Sequence, residues 1–152
     1  MYGDNTQIIS TESTQTPIAG IVDTGVQSVF PLYACRDTYL FSCPTAILIP
    51  DDFFELYRKA IPGAVLDKAT KLIEIPHSSI QHMQPLHFTF GDHKFTLNGN
   101  EQLVPQGMNI VWGGDAEKHY GFVGPIGSTG RHGLDFILGV PFMVKYYTVS
   151  SG

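Results

Sequence analysis

An all-β domain carrying one short helix is the fold class this sequence predicts, and three observations support it. Glycine and proline are abundant, at 16 and 10 of 152 residues, while hydrophobic residues reach 43% and charged residues only 15%. That mix suits many short strands joined by turns and argues against a helical bundle or a disordered chain. Residues 86–97 alternate aromatic and polar side chains on both sides of Gly91-Asp92, which reads as a hairpin with a two-residue, glycine-first turn. Residues 51–61 repeat apolar side chains at helical spacing and form the clearest helix. The length fits a single domain with a real hydrophobic core.

Taken in order, residues 7–18 are rich in Ser, Thr and Gln around the apolar pair Ile8-Ile9, and read as a short strand and a loop. Ala19-Gly20-Ile21-Val22-Asp23-Thr24-Gly25 follows, an apolar run that ends in an acid. Such a run sets the Asp23 carboxylate at the end of a buried strand, and Gly25 permits a tight turn that brings backbone N–H groups towards it. A general acid or base needs a dry, hydrogen-bonded seat of this kind. Ile47-Leu48-Ile49-Pro50 reads as the next strand. Asp51 then stands where it can cap a helix built on Phe53, Phe54, Leu56, Tyr57, Ala60 and Ile61, and Pro62-Gly63 stops it. Leu72-Ile73-Glu74-Ile75-Pro76 is a strand, followed by the hairpin. Residues 109–112, 120–123, 136–138 and 142–149 supply further strands, and there are no internal repeats.

The formal net charge is −5, with 9 Lys plus Arg and no basic run. Nucleic acid and anionic membrane surfaces are therefore poor candidate partners, and neither is expected. No apolar run approaches the length that spans a bilayer. The opening Met1-Tyr2-Gly3-Asp4-Asn5-Thr6 is polar and does not read as a signal peptide.

Asp23-Thr24-Gly25 behind its apolar lead-in, together with Leu134-Asp135-Phe136-Ile137-Leu138-Gly139 and the later Phe142…Tyr146-Tyr147-Thr148-Val149, resembles the C-terminal lobe of a pepsin-like (family A1) aspartic protease of fungal type. The resemblance covers most of residues 7–149 in the right order. It implies a single lobe of the acid-protease fold, in which the strand ending at Asp23 packs beside the strand ending at Gly139. It also implies an endopeptidase working at acidic pH on peptide or protein substrates, without a cofactor, in an extracellular or vacuolar setting. Because such proteins are normally made with a signal and a propeptide, the polar start implies a cytosolic chain or a sequence that begins partway through a longer one.

In that family water is activated between two carboxylates that share one proton, since like charges so close cannot both ionise. This chain supplies one of them, Asp23. No second Asp-Thr/Ser-Gly occurs, and Asp4, Asp115 and Asp135 lack the lead-in and the glycine. The reaction therefore requires a missing N-terminal lobe, or a second copy of this chain as in homodimeric retroviral proteases; the alternative is an inactive, truncated homologue that at most binds peptide or a partner lobe. By resemblance Thr24 braces the two strand ends across the lobe interface. Val26 departs from the pattern, standing where Ser or Thr normally hydrogen-bonds the outer carboxylate oxygen; retroviral enzymes carry Ala there. The family also continues beyond Val149 with Phe-Asp and further strand, where this chain has Ser150-Ser151-Gly152.

Residues 29–45 do not fit the resemblance, so the chain reads as a partial A1 domain over 1–152 with a non-family insertion at 29–45. Removing the insertion and merging Ser28 with Ala46 into one Thr restores the family spacing, as Asp-Thr-Gly-Val-Gln-Thr-Ile-Leu-Ile-Pro. If Ser28 is encoded AGT and Thr45 ACA, the intervening DNA begins with GT and ends with AG, as a translated intron would. The other reading is a surface insertion clipped by a disulfide between Cys35 and Cys43 in an oxidising compartment.

The remaining polar features read blandly. Histidines 77, 82, 87, 93, 119 and 132 show no tight ligand spacing with a nearby acid, so no metal is expected. Gly124-Pro125-Ile126-Gly127-Ser128-Thr129-Gly130 lacks the lysine and following helix of a phosphate loop, and Glu117-Lys118-His119 reads as a solvated loop.

Overall fold

The computed structural model describes residues 20–22, 46–90, 92–127 and 136–146. Strands dominate, with a few short helices. A four-stranded sheet is formed by β1 (Gly20–Val22), β2 (Ile47–Ile49), β8 (Val123–Pro125) and β9 (Phe136–Leu138), in the spatial order β1-β9-β2-β8. A second sheet joins β3 (Val65–Leu66), β4 (Ile73–Glu74) and β7 (Tyr120–Gly121), and β5 (Leu86–Phe90) pairs with β6 (His93–Leu97) as a hairpin. Phe90 pairs with His93, the register expected of a two-residue turn. The helices are α1 (Asp51–Ala60), α2 (His77–Ile80) and α3 (Val140–Lys145), with 3₁₀ segments at Gly99–Gln102 and Gln106–Trp112.

One main core runs through these layers. Ile47 and Ile49 from β2, Phe54 and Tyr57 from α1, Ile73 from β4, Leu86 and Leu97 from the hairpin, Val123 from β8, Leu138 from β9 and Phe142 from α3 are buried together. A smaller cluster gathers Leu72, Val104 and Tyr120 under Trp112 and Phe122. Gly121 is required where β7 crosses β4, because a Cβ there would stand 2.8 Å from Ile73 Cγ2.

The buried amide of Gln102 ties the core elements together. It accepts from the Tyr57 hydroxyl of α1 at 2.9 Å, and donates to the carbonyls of Gln84 at 2.9 Å and Leu97 at 3.0 Å. Every bond of this amide is internal, so it fixes α1 against both ends of the hairpin without stranding a polar group.

Three expectations are corrected. Asp51 does not cap α1: Pro50 occupies the N-cap without a side-chain bond, and Asp51 Oδ1 instead accepts the Gly127 N–H at 2.9 Å. Residues 109–112 are not a strand. Pro105 starts a 3₁₀ turn, Gly113 at φ 74° ends it, and the Asn109 amide donates to the carbonyls of Asp115 and Lys118, which curls the segment. Residues 142–145 are helical, because Pro141 sits in the first turn of α3, where its missing N–H costs nothing, and Gly139 O accepts from Phe142 and Met143 N–H. Residues 147–149 lie outside the described residues, as do 7–18 and 29–45.

Gln102→Ala is expected to cost about 3 kcal/mol, since it deprives one hydroxyl and two carbonyls of their bonds, whereas Tyr57→Phe is expected to cost about 1 kcal/mol; urea denaturation measures both. A second expectation concerns the turn between β3 and β4. There Asp67 accepts the Thr70 hydroxyl at 2.7 Å and the N–H groups of Ala69 and Thr70. The Thr70 hydroxyl first, then the two N–H groups, hold its carboxyl below the ordinary aspartate range despite opposing desolvation. A lowered folded-state pKa stabilises above the unfolded value and is lost as pH falls through the folded one. The stability gap between wild type and Asp67→Asn is therefore full at about pH 6 and closes below about pH 4.

Candidate functional site

The chain enters the predicted site along β1, which runs parallel to β9 in the register Gly20↔Phe136, Ile21↔Ile137, Val22↔Leu138. On its other side β9 meets β2 antiparallel, with Leu48 opposite Ile137. These are short apolar segments, and Ile137, Leu138 and Gly139 are buried. A strand flanked on both sides and covered on its faces reads as an uninterrupted apolar run, which is what Phe136-Ile137-Leu138 is. Val22 is the last described residue before the Asp-Thr-Gly triplet; Asp23, Thr24 and Gly25 themselves lie outside the described residues.

An aromatic cluster gathers after β9. Phe142, in the first turn after β9, packs edge-on against Phe88 at 5.8 Å and meets Phe95 and Tyr146 at 5.6 and 5.0 Å. The Tyr146 hydroxyl donates to the Thr96 carbonyl and accepts the Thr96 N–H, both at 2.7 Å, so it completes the backbone pairing of β6. The segment after β9 is thus clamped to the hairpin on a residue the sequence marks only as part of a strand. Lys145 and Glu101 add an ion pair at 2.5 Å. Burial alone would raise the Glu101 carboxyl, but Lys145 and the Asn98 N–H outweigh it and hold it below the usual range.

The glycine-rich stretch after β8 carries a carboxylate contact rather than an anion cradle. Ile126 N–H donates to Ile49 O at 2.8 Å and Gly127 N–H to Asp51, which pins this loop beside β2 and the start of α1. Ser128, Thr129 and Gly130 lie outside the described residues.

Among the histidines, His87 shares a hydrogen bond with Thr96 Oγ1 across the hairpin at 2.8 Å, and His82 approaches Gln81. His77 and His119 meet ring to ring, Nδ1 to Nε2 at 3.1 Å. They are 42 positions apart, so no local spacing could have revealed the pair. The β4–β7 register makes it, by setting Glu74 opposite Tyr120. His132 lies outside the described residues, as do Cys35 and Cys43. Among the described residues no group of three or more His, Cys, Asp or Glu is placed to hold a metal ion, and no helix is long and apolar enough to cross a membrane.

No family model matches the chain. It is 36% identical over 148 residues to polyporopepsin of Irpex lacteus, a match covering 97% of this chain and 36% of that protein. Among solved structures, the aspartic proteinase from Irpex lacteus superposes with a TM-score of 0.70 at 37% identity, over 93% of this chain and 34% of that one. The chain therefore spans about a third of the length of these relatives.

The clamp at Tyr146 gives an expected outcome of its own. Tyr146→Phe keeps the ring packing and removes both bonds to Thr96, so it should cost about 1–2 kcal/mol in urea denaturation. Amide exchange should quicken selectively at Thr96.

Proposed function

The chain is homologous to the pepsin-like aspartic proteases, and from that premise we propose that it is the C-terminal half of an aspartic endopeptidase, contributing one carboxylate, Asp23, to a two-carboxylate centre. The observation that carries this reading is the parallel pairing of β1 with β9. Asp23 is the residue after Val22, and Gly139 the residue after its partner's end at Leu138. That is the strand arrangement the family resemblance calls for. In the reaction one carboxylate takes a proton from water while the other, protonated, donates to the scissile carbonyl. Asp23 holds one of these roles, Thr24 braces the opposing strand end, and Gly25 N–H steadies the carboxylate. The opposing carboxylate comes from another lobe-length stretch of polypeptide or from a second copy of this chain. The substrate is a peptide or protein, and the setting is extracellular or vacuolar.

A second element of the reading concerns residues 29–45. β1 and β2 flank β9, so they lie two strand spacings apart, roughly 10 Å, a gap that a few extended residues can bridge. The chain spends residues 23–46 on that connection. This supports the view that 29–45 is dispensable to the fold, as a translated intron or a disulfide-clipped insertion would be.

Activity is tested by titrating pepstatin-sensitive cleavage of a denatured protein against enzyme concentration at about pH 3–5, the range in which a carboxylate pair shares a proton, with Asp23→Asn as control. Alone, the chain is expected to show little or no cleavage. A rate rising with the square of concentration would establish the two-copy enzyme. Cleavage with constant specific activity that Asp23→Asn abolishes would show a complete site in one chain and overturn the half-site reading. For the insertion, deleting 29–46 with Ser28→Thr should raise stability by about 1 kcal/mol through the shorter loop; failure of that variant to fold would show that the segment belongs to the core.

A further inference from the structure

Among the described residues, His77 and His119 form a pair of ligating side chains that the proteolytic reading does not use. His77 opens α2 and His119 immediately precedes β7. The backbone at both places is anchored: Ile75 N–H donates to His119 O at 2.9 Å, and Ser79 N–H to Pro76 O at 2.8 Å. The rings therefore meet on a fixed frame and face solvent. Their nitrogens lie 3.1 Å apart and their centroids 5.1 Å apart.

Two imidazole nitrogens at this separation can share a proton or a metal ion. A cation bound ~2.05 Å from each nitrogen, the usual zinc–imidazole length, would reproduce the nitrogen spacing at an N–M–N angle of roughly 100° and the centroid spacing at a slightly wider one. The two angles are close to each other and both lie between octahedral and tetrahedral geometry, so a shift of the rings by a few tenths of an ångström lets one cation meet both. Lys118, the residue before His119, does not present an unpaired charge. Lys118 is bound to Glu74 at 2.9 Å, and that bond raises its affinity for its proton while balancing its charge. We propose that His77 and His119 form a two-histidine site for a borderline transition-metal dication, Zn²⁺, Ni²⁺ or Cu²⁺, with water completing the coordination.

The proton balance is simple. In the hydrogen-bonded pair one ring offers N–H and the other a lone pair. To bind metal, the donating ring moves its proton to its outer nitrogen by exchange with solvent, so both facing nitrogens present lone pairs and no net proton is released from neutral rings. Imidazole favours these ions in the order Ni²⁺ below Cu²⁺ and Cu²⁺ above Zn²⁺, and disfavours hard Mg²⁺ and Ca²⁺.

The test is calorimetric titration of the folded chain with zinc chloride at neutral pH, beside ring-resonance NMR of the histidines. A saturable one-to-one event is expected, with the His77 and His119 rings shifting together and no response to magnesium. His77→Ala and His119→Ala should each weaken zinc binding at least about tenfold, as the loss of groups around a metal does, and His82→Ala should leave it unchanged. Should either alanine variant fail to fold, the ring resonances of the unaltered chain decide alone. Zinc affinity that survives both substitutions, or zinc that leaves these two rings unshifted, overturns the site.

Discussion

Everything near the predicted site depends on three residues, Phe136-Ile137-Leu138, being hydrogen-bonded on both sides at once. β9 enters between β1 and β2, parallel to one and antiparallel to the other, and so joins strands that are neighbours in sequence but not in space. A strand in that position has no edge exposed to water, and every backbone group must find a protein partner. Its side chains must be apolar on both faces, which Ile137 and Leu138 satisfy. A polar substitution here would strand a group in the core and unseat both neighbouring strands together.

The rest of the lobe serves to hold that strand in place. β2 carries β9 on one side and β8 on the other, and α1 begins directly after it, so the helix bearing Phe54 and Tyr57 is positioned by the same sheet. Phe142 turns back under β9, the hairpin aromatics close around it, and Tyr146 fastens the arrangement to β6. Gln102 links α1 to the hairpin. The Gln102 amide acts as a fixed spacer between apolar layers, its internal bonds offsetting the desolvation of its buried groups.

What could be read from the chain beforehand follows from how local each signal was. The hairpin at 86–97 and the helix at 51–60 declare themselves through period and turn chemistry within a dozen residues, and both stand as expected. The apolar segments Ile47-Leu48-Ile49 and Phe136-Ile137-Leu138 are legible as strands; the likeness to a known family supplied the partner of the second, the strand ending at Asp23, while the pairings of the first with β8 and β9 come only from the structure. Asn109-Trp112 and Phe142-Lys145 were misread because apolar content alone does not separate a strand from a helical turn. Pro105, Gly113 and Pro141 decided those cases. The ring contact between His77 and His119, the Asp51 bond to Gly127 and the Tyr146 clamp arise from tertiary register and leave no trace in local spacing. For the Asp-Thr-Gly triplet, the approach strand and its neighbour are in view, and the triplet lies outside the described residues.

The Gln102 network and the β1–β9 pairing differ sharply in the chain length they enclose, and this bears on the order in which the lobe assembles. Tyr57, Gln84, Leu97 and Gln102 lie within one continuous stretch, closed by loops of moderate length, together with α1 and the hairpin. Gly20 and Phe136 are separated by most of the chain, and their pairing repays its loop-closure entropy only after the intervening region has already condensed. During synthesis from the N-terminus, the strand leading into Asp23 emerges early and must wait for its neighbour until nearly the whole domain has been made. The pairing that leads into the predicted catalytic end of the sheet therefore closes the longest loop of any strand pairing among the described residues.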